Sequence, residues 1–425
     1  MWAVPAFAAD GTGQTPGAID TGDTAWLLVC AAMVMLMTPA LGFFYGGLVR
    51  RKNVLSTIMQ SFFVLALISV QWVLWGYSLA FGPDKGGIIG GLEWIGLNGV
   101  GLAPNPDYAP TVPHQAFVIF QMMFAIITPA LITGAFAERK RFKAFVFFTL
   151  LWATFVYDPI AHWVWGNGGW LKTLGALDFA GGSVVHISAG VSSLVAALMM
   201  GRRLGFGKDS MEPHDSTMTI LGAGLLWFGW FGFNAGSALG SGSLATSTFL
   251  VTNTAGAMAA ITWMTVSWMH TGRPSALGMA VGGIVGLATV TPAAGFITVQ
   301  SAILIGLVAG IVPYFAMQFM KGRLGIDDSL DVLACHGIGG TLGTIAVGLL
   351  ATVAVNPAGA NGWFYGNPGQ LWVQLLLVVV TWVYSAGATF IILKVIDRVI
   401  GLRVPEHEEL AGLDESQHGE VAYQL

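Results

Sequence analysis

Long uncharged stretches separated by short charged clusters dominate the chain. They cover residues 24–49, 53–83, 108–137, 144–157, 179–201, 216–272, 274–320 and 332–393. A helix needs about 20 apolar residues to cross a bilayer, so each of the first five stretches provides one span, with 144–157 continuing through Asp158 to His162. Each of the last three provides two spans, divided by glycine- and proline-rich breaks at 236–242, 291–295 and 356–369. The pattern predicts an all-α polytopic membrane protein with eleven transmembrane helices.

The positive charges predict the orientation. With the N-terminus outside, 16 of the 18 lysines and arginines fall in inner loops or in the C-terminal segment, and only Lys85 and Lys172 fall in outer loops. Cytoplasmic loops carry the excess of Lys and Arg in membrane proteins. We therefore expect residues 1–23 outside the membrane, 24–402 as the membrane domain and 403–425 as an acidic cytoplasmic tail.

The composition agrees with this class of protein. The apolar fraction is 55%, charged residues make up 9% and the mean hydropathy is +0.71, whereas soluble domains carry about 25% charged residues. A net charge of −4 does not favour a nucleic-acid partner, and Cys30 and Cys335 lie in apolar stretches, where a disulfide framework is not expected. Ala6-Phe7-Ala8 resembles a signal-peptidase site without the preceding basic region, so a signal-peptide remnant and a misplaced start both fit residues 1–9.

Two histidine motifs repeat within the membrane domain. His186 and His336 stand 150 residues apart, and each follows an aspartate by eight residues, Asp178 and Asp328. Asp178 precedes a span that enters from outside, whereas Asp328 precedes one that enters from inside. Spans 1–5 and 6–10 are therefore predicted to be inverted repeats, with an eleventh helix added. Such repeats place substrate sites near mid-membrane, where the two histidines are expected to meet.

A pair of histidines alone has several interpretations. Imidazole is a common metal and haem ligand, but no HExxH motif or cysteine pair accompanies these two. A hydrogen-bonded structural pair is a second interpretation. Ionisable residues inside a membrane commonly mark a pathway, so the third and preferred interpretation is a pair lining a narrow apolar pore.

Through seven motifs, the chain resembles a bacterial member of the ammonium transporter (Amt/Mep/Rh) family. They are GFFYGGLVRRKN from Gly42, AERKRF from Ala137, HWVWG from His162, Asp178–His186, WFGWFGFNAGS from Trp227, Asp327–Gly340 and GLRVP from Gly401. The resemblance implies an eleven-helix bundle that forms a homotrimer with one pore per subunit. It also implies that the protein is a transporter and not an enzyme, with no cofactor and no metal.

The resemblance assigns roles to individual residues. Ammonium would bind outside at Trp165, Ser237, Phe124 and Phe120, and Phe124 with Phe233 would form the pore gate. His186 and His336 would line the pore and relay a proton, and Asp178 would support the outer site indirectly. Without the resemblance, Trp165 fits an interfacial tryptophan, the phenylalanines fit core or lipid-facing positions, Ser237 fits a packing residue and Asp178 fits a helix N-cap. Asp158 is expected at the outer interface.

The predicted function is transport of ammonium or ammonia across the bacterial cytoplasmic membrane. Ammonium would lose its proton outside, ammonia would pass the histidine pair, and net movement of either species fits the sequence. The resemblance also implies a cytoplasmic PII-type nitrogen-regulatory protein that acts through the tail. The alternatives are an ammonium sensor working through such a partner and a metal- or haem-containing redox protein.

Overall fold

A computed structural model describes residues 18–424 of the chain. The signal-peptide remnant that is one interpretation of residues 1–9 lies outside the described residues. In chain order the helices of the described part are α1 Thr21–Leu48, α2 Arg51–Phe81, α3 His114–Phe136, α4 Phe142–Thr173, α5 Gly182–Met200, α6 Ser216–Gly236, α7 Ser243–Thr271, α8 Ala276–Val290, α9 Val299–Leu324, α10 Leu333–Leu350, α11 Pro368–Val399, α12 Glu406–Ala411 and α13 Leu413–His418.

The first eleven of these helices match the predicted spans. Ten are long and apolar enough to cross a membrane. The other, α8, has 15 residues, or about 22 Å at the helical rise, which is shorter than the roughly 30 Å hydrocarbon core. Buried turns at 291–296 continue it. The predicted breaks at 236–242, 291–295 and 356–369 coincide with the connections after α6, α8 and α10.

Two small hairpins and a short helical turn connect α2 to α3. β1 Asp84–Lys85 pairs with β2 Ile89–Gly90, and β3 Pro104–Asn105 pairs with β4 Ala109–Pro113, both antiparallel. The turn Ile95–Leu97 lies between the hairpins. This connection carries Asp107 and Tyr108 to the same end of the bundle as Trp165 and Lys172. We call it the hairpin end, and we call the other end, which carries the arginine-rich loops, the basic end.

Close packing of α1 against α6 forms the centre of the bundle. Glycines on α6 face α1 with no room for a side chain, because a Cβ at Gly222 would lie 2.4 Å from the backbone of Phe44 and one at Gly232 would lie 2.9 Å from the carbonyl of Cys30. Small residues allow helix backbones to approach in this way in membranes. The packing holds the end of α6, with Phe233 and Ser237, beside α3.

The helices α5 and α10 show the predicted inversion. α5 starts at the hairpin end and α10 starts at the basic end, and each begins with a π-helical turn, Gly182–Ile187 and Leu333–Ile338. Each turn contains one of the two histidines. His186 and His336 meet with their Nδ1 atoms 3.2 Å apart. The expectation that the repeats bring both histidines together is confirmed.

Buried ion pairs join the loops at the basic end. Glu138 accepts hydrogen bonds from Arg50. Arg203 donates hydrogen bonds to both carboxylate oxygens of Asp327, with its Nη2 2.8 Å from Oδ1. Burial disfavours the charged form of Asp327, but the hydrogen bonds and positive charge of Arg203 outweigh this effect and hold the pKa of Asp327 below its ordinary value. Arg203 also contacts Glu138, with its Nη1 3.5 Å from Glu138 Oε2, so the loops after α1, α3, α5 and α9 are fixed to one another. Asp327 directly precedes the segment that leads into His336.

The C-terminal residues dock on this network. Asp414 accepts hydrogen bonds from the backbone N–H groups of Leu55 (3.0 Å) and Ser56 (2.8 Å) at the start of α2. Glu409, 1% exposed, accepts from the N–H of Leu204 and pairs with Arg403. The tail, too poor in apolar residues to fold alone, is thus ordered by polar contacts with the bundle.

Asp158 departs from its expected position. It lies within α4 and is completely buried, not at an interface, and its Oδ2 accepts a hydrogen bond from Gln71 Nε2 on α2 at 2.9 Å. Within the described residues, Asp158 Oδ1 and Gln71 Oε1 have no hydrogen-bond partner. The interfacial expectation failed because the charge pattern shows where a helix is polar but not which neighbour it meets.

Candidate functional site

A pocket of about 220 Å³ opens at the hairpin end. Trp165, at the end of the helical part of α4, forms one wall, and Phe124 from α3 and Ser237 after α6 form others. The indole Nε1 of Trp165 donates a hydrogen bond to the carbonyl of Asp178 at 2.8 Å, which fixes the ring. Trp165 and Phe124 meet edge to face, with centroids 5.9 Å apart. We call this cavity the Trp165 pocket.

Ser237 and Gln121 offer hydrogen-bond acceptors to the Trp165 pocket. The hydroxyl of Ser237 donates to the carbonyl of Phe233 at 2.9 Å, which leaves its lone pairs free to accept. Gln121 also lines the pocket, and its buried Oε1 has no partner among residues 18–424. A molecule that donates several hydrogen bonds would satisfy both groups. Gln121 was not among the residues predicted from the sequence, where its signal is a polar residue one turn before Phe124 in an apolar stretch.

Asp178 lies behind the pocket and is saturated by donors. Its carboxylate accepts hydrogen bonds from the backbone N–H groups of Gly181, Gly182, Ser183 and Val184 and from the Ser183 hydroxyl, so it caps α5. Gly181 has φ 112°, which favours glycine. Asp178 does not line the pocket. Its carbonyl instead orients Trp165, and it thereby connects the wall of the pocket to the start of the helix that carries His186.

Two phenylalanine rings close the bottom of the pocket. Phe124 and Phe233 lie with centroids 4.2 Å apart at an interplanar angle of 31°, and each is 1% exposed. Phe120, which was also expected at the substrate, is completely buried one layer behind. It packs on Phe124 at 5.0 Å and does not line the pocket. Phe120 therefore supports the gate residue and makes no wall of its own.

Beyond the rings lies a cavity of about 20 Å³, which we call the histidine cavity. Roughly 10–15 Å³ of such volume accommodates one water molecule, so the cavity has room for a single molecule of that size. His186 and His336 are its only titratable lining residues within the described chain; the other lining residues are Met37, Leu41, Phe44, Ile127, Leu131, Val185, Leu226, Trp230, Phe233 and Ile284.

The histidines share one hydrogen bond. Because both Nδ1 atoms meet at 3.2 Å, one of them carries the proton and the other accepts it. Trp230 packs on the His186 ring at 5.7 Å and Phe233 at 6.0 Å. The Nε2 of His186 has no partner within residues 18–424. This nitrogen is therefore available to a molecule in the cavity.

A third cavity, of about 250 Å³, continues to the basic end. His336 lines both this cavity and the histidine cavity, so the two adjoin. Lys321 and Asp331 form an ion pair of 2.7 Å in its wall. We call it the Lys321 pocket. The two open pockets and the small cavity between them lie in sequence along the bundle, separated by the phenylalanine pair and the histidine pair.

The residues predicted from the sequence fall mainly along this path. Trp165, Ser237 and Phe124 share the first pocket, Phe233 separates it from the histidine cavity, and the histidines lie beyond. No group of three or more potential metal ligands occurs among the described residues. Trp230 and the Lys321–Asp331 pair were not predicted, since the sequence did not indicate which turn of α6 or α9 faces the path.

Comparison with known proteins places this path in a family. The model described as Ammonium Transporter Family matches residues 25–423. An ammonium transporter of Bacillus subtilis is 52% identical over 95% of this chain and 98% of its own length. The crystal structure of Candida albicans Mep2 is 37% identical with a TM-score of 0.87, over 95% of this chain and 90% of that one. A structure titled Sensor Amt Protein is 31% identical with a TM-score of 0.87, over 93% and 98%. The chain belongs to the ammonium transporter family and is a multi-pass membrane transporter, not an enzyme.

Proposed function

We propose that the protein takes up ammonium by binding it in the Trp165 pocket, removing its proton and passing ammonia along the histidine cavity to the Lys321 pocket. The observation that carries this proposal is the row of three cavities closed by two phenylalanines and two histidines. Each step uses a different physical property of the row.

Binding uses charge and hydrogen bonding. The face of Trp165 attracts a cation, by roughly 0.5–2 kcal/mol depending on desolvation. Ser237 and Gln121 supply oxygens that can accept hydrogen bonds from the four N–H groups of ammonium. Potassium is also attracted by the ring but donates no hydrogen bonds. The pocket therefore favours ammonium at the stage of binding.

Loss of the proton lowers the free-energy cost of moving the substrate through the histidine cavity. The histidine cavity is lined by apolar groups apart from the histidines and has room for one small molecule, so a cation would enter without its hydration shell. Moving an ion out of water costs several kcal/mol when no protein contacts replace its hydration. Ammonia is neutral and nearly the size of water, and it can pair with the free Nε2 of His186. Potassium has no proton to lose and is excluded.

The histidine pair also provides a route for the proton. A hydrogen bond between two imidazoles can reverse its direction as one ring receives a proton and the other releases one. Transfer from the Trp165 side to the Lys321 side would make net transport electrogenic. In this scheme ammonia and the proton follow separate routes and recombine in the Lys321 pocket.

The proposed orientation places the hairpin end outside and the basic end in the cytoplasm. It rests on the distribution of lysine and arginine, with only Lys85 and Lys172 at the hairpin end. We propose location in the bacterial cytoplasmic membrane and assembly as a homotrimer. Residues 18–23 begin outside and the tail from Arg403 lies in the cytoplasm.

Regulation through the tail is a further part of the proposal. The tail and the loop after α1 enclose a cavity of about 350 Å³ at the basic end, lined by Arg51, Lys52, Asp414 and Glu415 among others. A cytoplasmic PII-type protein that binds here would contact the tail and the rim of the bundle together. Truncation after Leu402 should leave a trimer and change inhibition by this partner.

The sensor alternative uses the same outer pocket but requires no flux. Current measured on reconstituted protein after an ammonium jump separates the two functions, with potassium and methylammonium jumps as comparisons. A transporter gives a saturable ammonium current and none with potassium. Absence of ammonium current and uptake from protein that still binds ammonium would favour the sensor. A visible absorption spectrum and metal analysis of the same protein would test the haem and metal interpretations.

A further inference from the structure

We propose that Lys172 is a fixed cation at the mouth of the Trp165 pocket that lowers its affinity for ammonium. This inference rests on the proposed function and concerns a residue outside the seven motifs that carry the family resemblance. It makes Lys172 a determinant of the concentration at which the pocket fills, separate from the residues that bind the substrate.

Lys172 lies in the wall of the Trp165 pocket. The residue lies in the last helical turn of α4, Trp170–Thr173, which follows the non-helical turn after Trp165. Its Nζ donates a hydrogen bond to the carbonyl of Trp165 at 3.0 Å and lies 5.8 Å from the centroid of the Tyr108 ring. Trp165, Tyr108 and Lys172 all line the pocket. A primary ammonium group therefore occupies the wall that the substrate must approach.

The charge of Lys172 is not neutralised by an ion pair. Its hydrogen-bond acceptor is a backbone carbonyl, and no ion pair within residues 18–424 includes it. The other lysine at the hairpin end, Lys85, pairs with Glu93 at 2.5 Å and does not line the pocket. Asp107 is the one carboxylate that lines the pocket among the described residues. The mouth thus carries one positive and one negative side chain.

Repulsion from Lys172 and attraction to Asp107 act together on every incoming cation. Removing the lysine charge leaves Asp107 unopposed, so the local concentration of ammonium rises and the apparent KM falls. Because Lys172 is exposed, water and salt screen its effect, and we expect a change of only about two- to fivefold at low ionic strength. The effect does not depend on the kind of cation, so the exclusion of potassium from the pore remains.

The hydrogen bond of Lys172 and its charge have opposite expected effects on the apparent KM. If the hydrogen bond to Trp165 mattered more than the charge, its loss would loosen the indole and raise the apparent KM. If the charge matters more, the apparent KM falls, and it falls less at high salt. The Debye length shortens from about 30 Å at 0.01 M to about 8 Å at 0.15 M ionic strength, so a charge effect must weaken between these conditions.

The test is the ammonium dependence of current from full-length protein in proteoliposomes, at low and physiological ionic strength. Lys172→Met and Lys172→Gln should lower the apparent KM about two- to fivefold at low salt and less at high salt. Lys172→Arg keeps the charge, and Lys85→Gln changes the ion-paired lysine outside the pocket, so both should match the wild type. Asp107→Asn should raise the apparent KM.

An unchanged or increased apparent KM in Lys172→Met and Lys172→Gln would overturn the inference, as would a decrease that is the same at both salt concentrations. A wild-type protein with neither ammonium current nor ammonium uptake would instead contradict the proposed function. The two failures are therefore distinguishable in one set of measurements.

Discussion

Replacing Trp165 tests how the outer pocket attracts its substrate. The indole has two roles in the structure, because its face borders the pocket and its Nε1 donates to the carbonyl of Asp178 at 2.8 Å. Trp165→Leu removes both roles, whereas Trp165→Phe keeps an aromatic face and removes only the hydrogen bond. The two variants therefore separate cation–π attraction from positioning of the ring.

The magnitudes follow from these contacts. Loss of the cation–π interaction costs roughly 0.5–2 kcal/mol, which corresponds to an apparent ammonium KM about 2- to 30-fold higher at 1.4 kcal/mol per tenfold. Loss of one hydrogen bond costs about 0.5–1.5 kcal/mol in stability, and only the part that moves the ring affects binding. We therefore expect Trp165→Leu to be more impaired than Trp165→Phe.

The assay is the concentration dependence of ammonium current in proteoliposomes, with the oligomeric state checked for each variant. Trp268→Leu is the matched control, because Trp268 lies on α7 with 48% exposure and lines none of the three cavities of the path. It should match the wild type. If Trp165→Leu also kept the wild-type concentration dependence, Trp165 would be an interfacial residue and the binding step would be wrong.

Two further predictions concern other parts of the fold. Asp414→Ala removes the carboxylate that accepts from the N–H groups of Leu55 and Ser56, where the α-helical part of α2 begins, at a cost of about 0.5–2 kcal/mol. We expect faster proteolysis of the tail and altered inhibition by a PII-type partner. Glu415→Ala, at an exposed neighbour, should change the proteolysis rate little, and equal rates for both variants would contradict the docking role. Asp158→Asn lets the new amide donate to Gln71 Oε1 and should unfold near the wild-type temperature. Asp158→Leu leaves the Gln71 amide with only its long 3.5 Å contact to Thr154 Oγ1, at a cost of about 1–3 kcal/mol. Equal thermal stability of these two variants in detergent would show that the pair contributes nothing.

The arrangement of the helices could be predicted because hydrophobicity and charge act over whole segments. Because burying a charge in the bilayer is costly, long uncharged stretches indicate membrane spans. The arginine-rich loops indicate one end of the bundle. Once α5 and α10 were placed in opposite directions, the meeting of His186 and His336 followed. The outer residues Trp165, Phe124 and Ser237 came from motif resemblance, since spacing alone left their packing interpretations open.

Features set by contacts between distant segments could not be predicted in this way. Asp158 is buried because Gln71 on α2 faces it, and Phe120 lies behind the pocket because Phe124 occupies the wall. The π-helical turns that present the histidines have no simple sequence signal. Lys172 and Asp107 reach the same pocket from separate connections. In each case the packing partner decides the role, and hydropathy along one chain does not identify that partner.

The most direct test of the central claim compares ammonium and potassium currents in histidine variants of reconstituted protein. The claim is that a dry path with neutral histidines passes ammonia only after ammonium has lost its proton. His186→Glu places an ionisable carboxylate in the histidine cavity, which lowers the cost of a cation there and attracts water. His336→Ala breaks the 3.2 Å contact between the two rings.

The account predicts that His186→Glu forms an intact oligomer that conducts potassium as well as ammonium, and that His336→Ala loses most of its proton-coupled ammonium current. If both variants kept wild-type ammonium currents and still excluded potassium, the histidine pair would be structural and the proposed path of proton and ammonia would be contradicted.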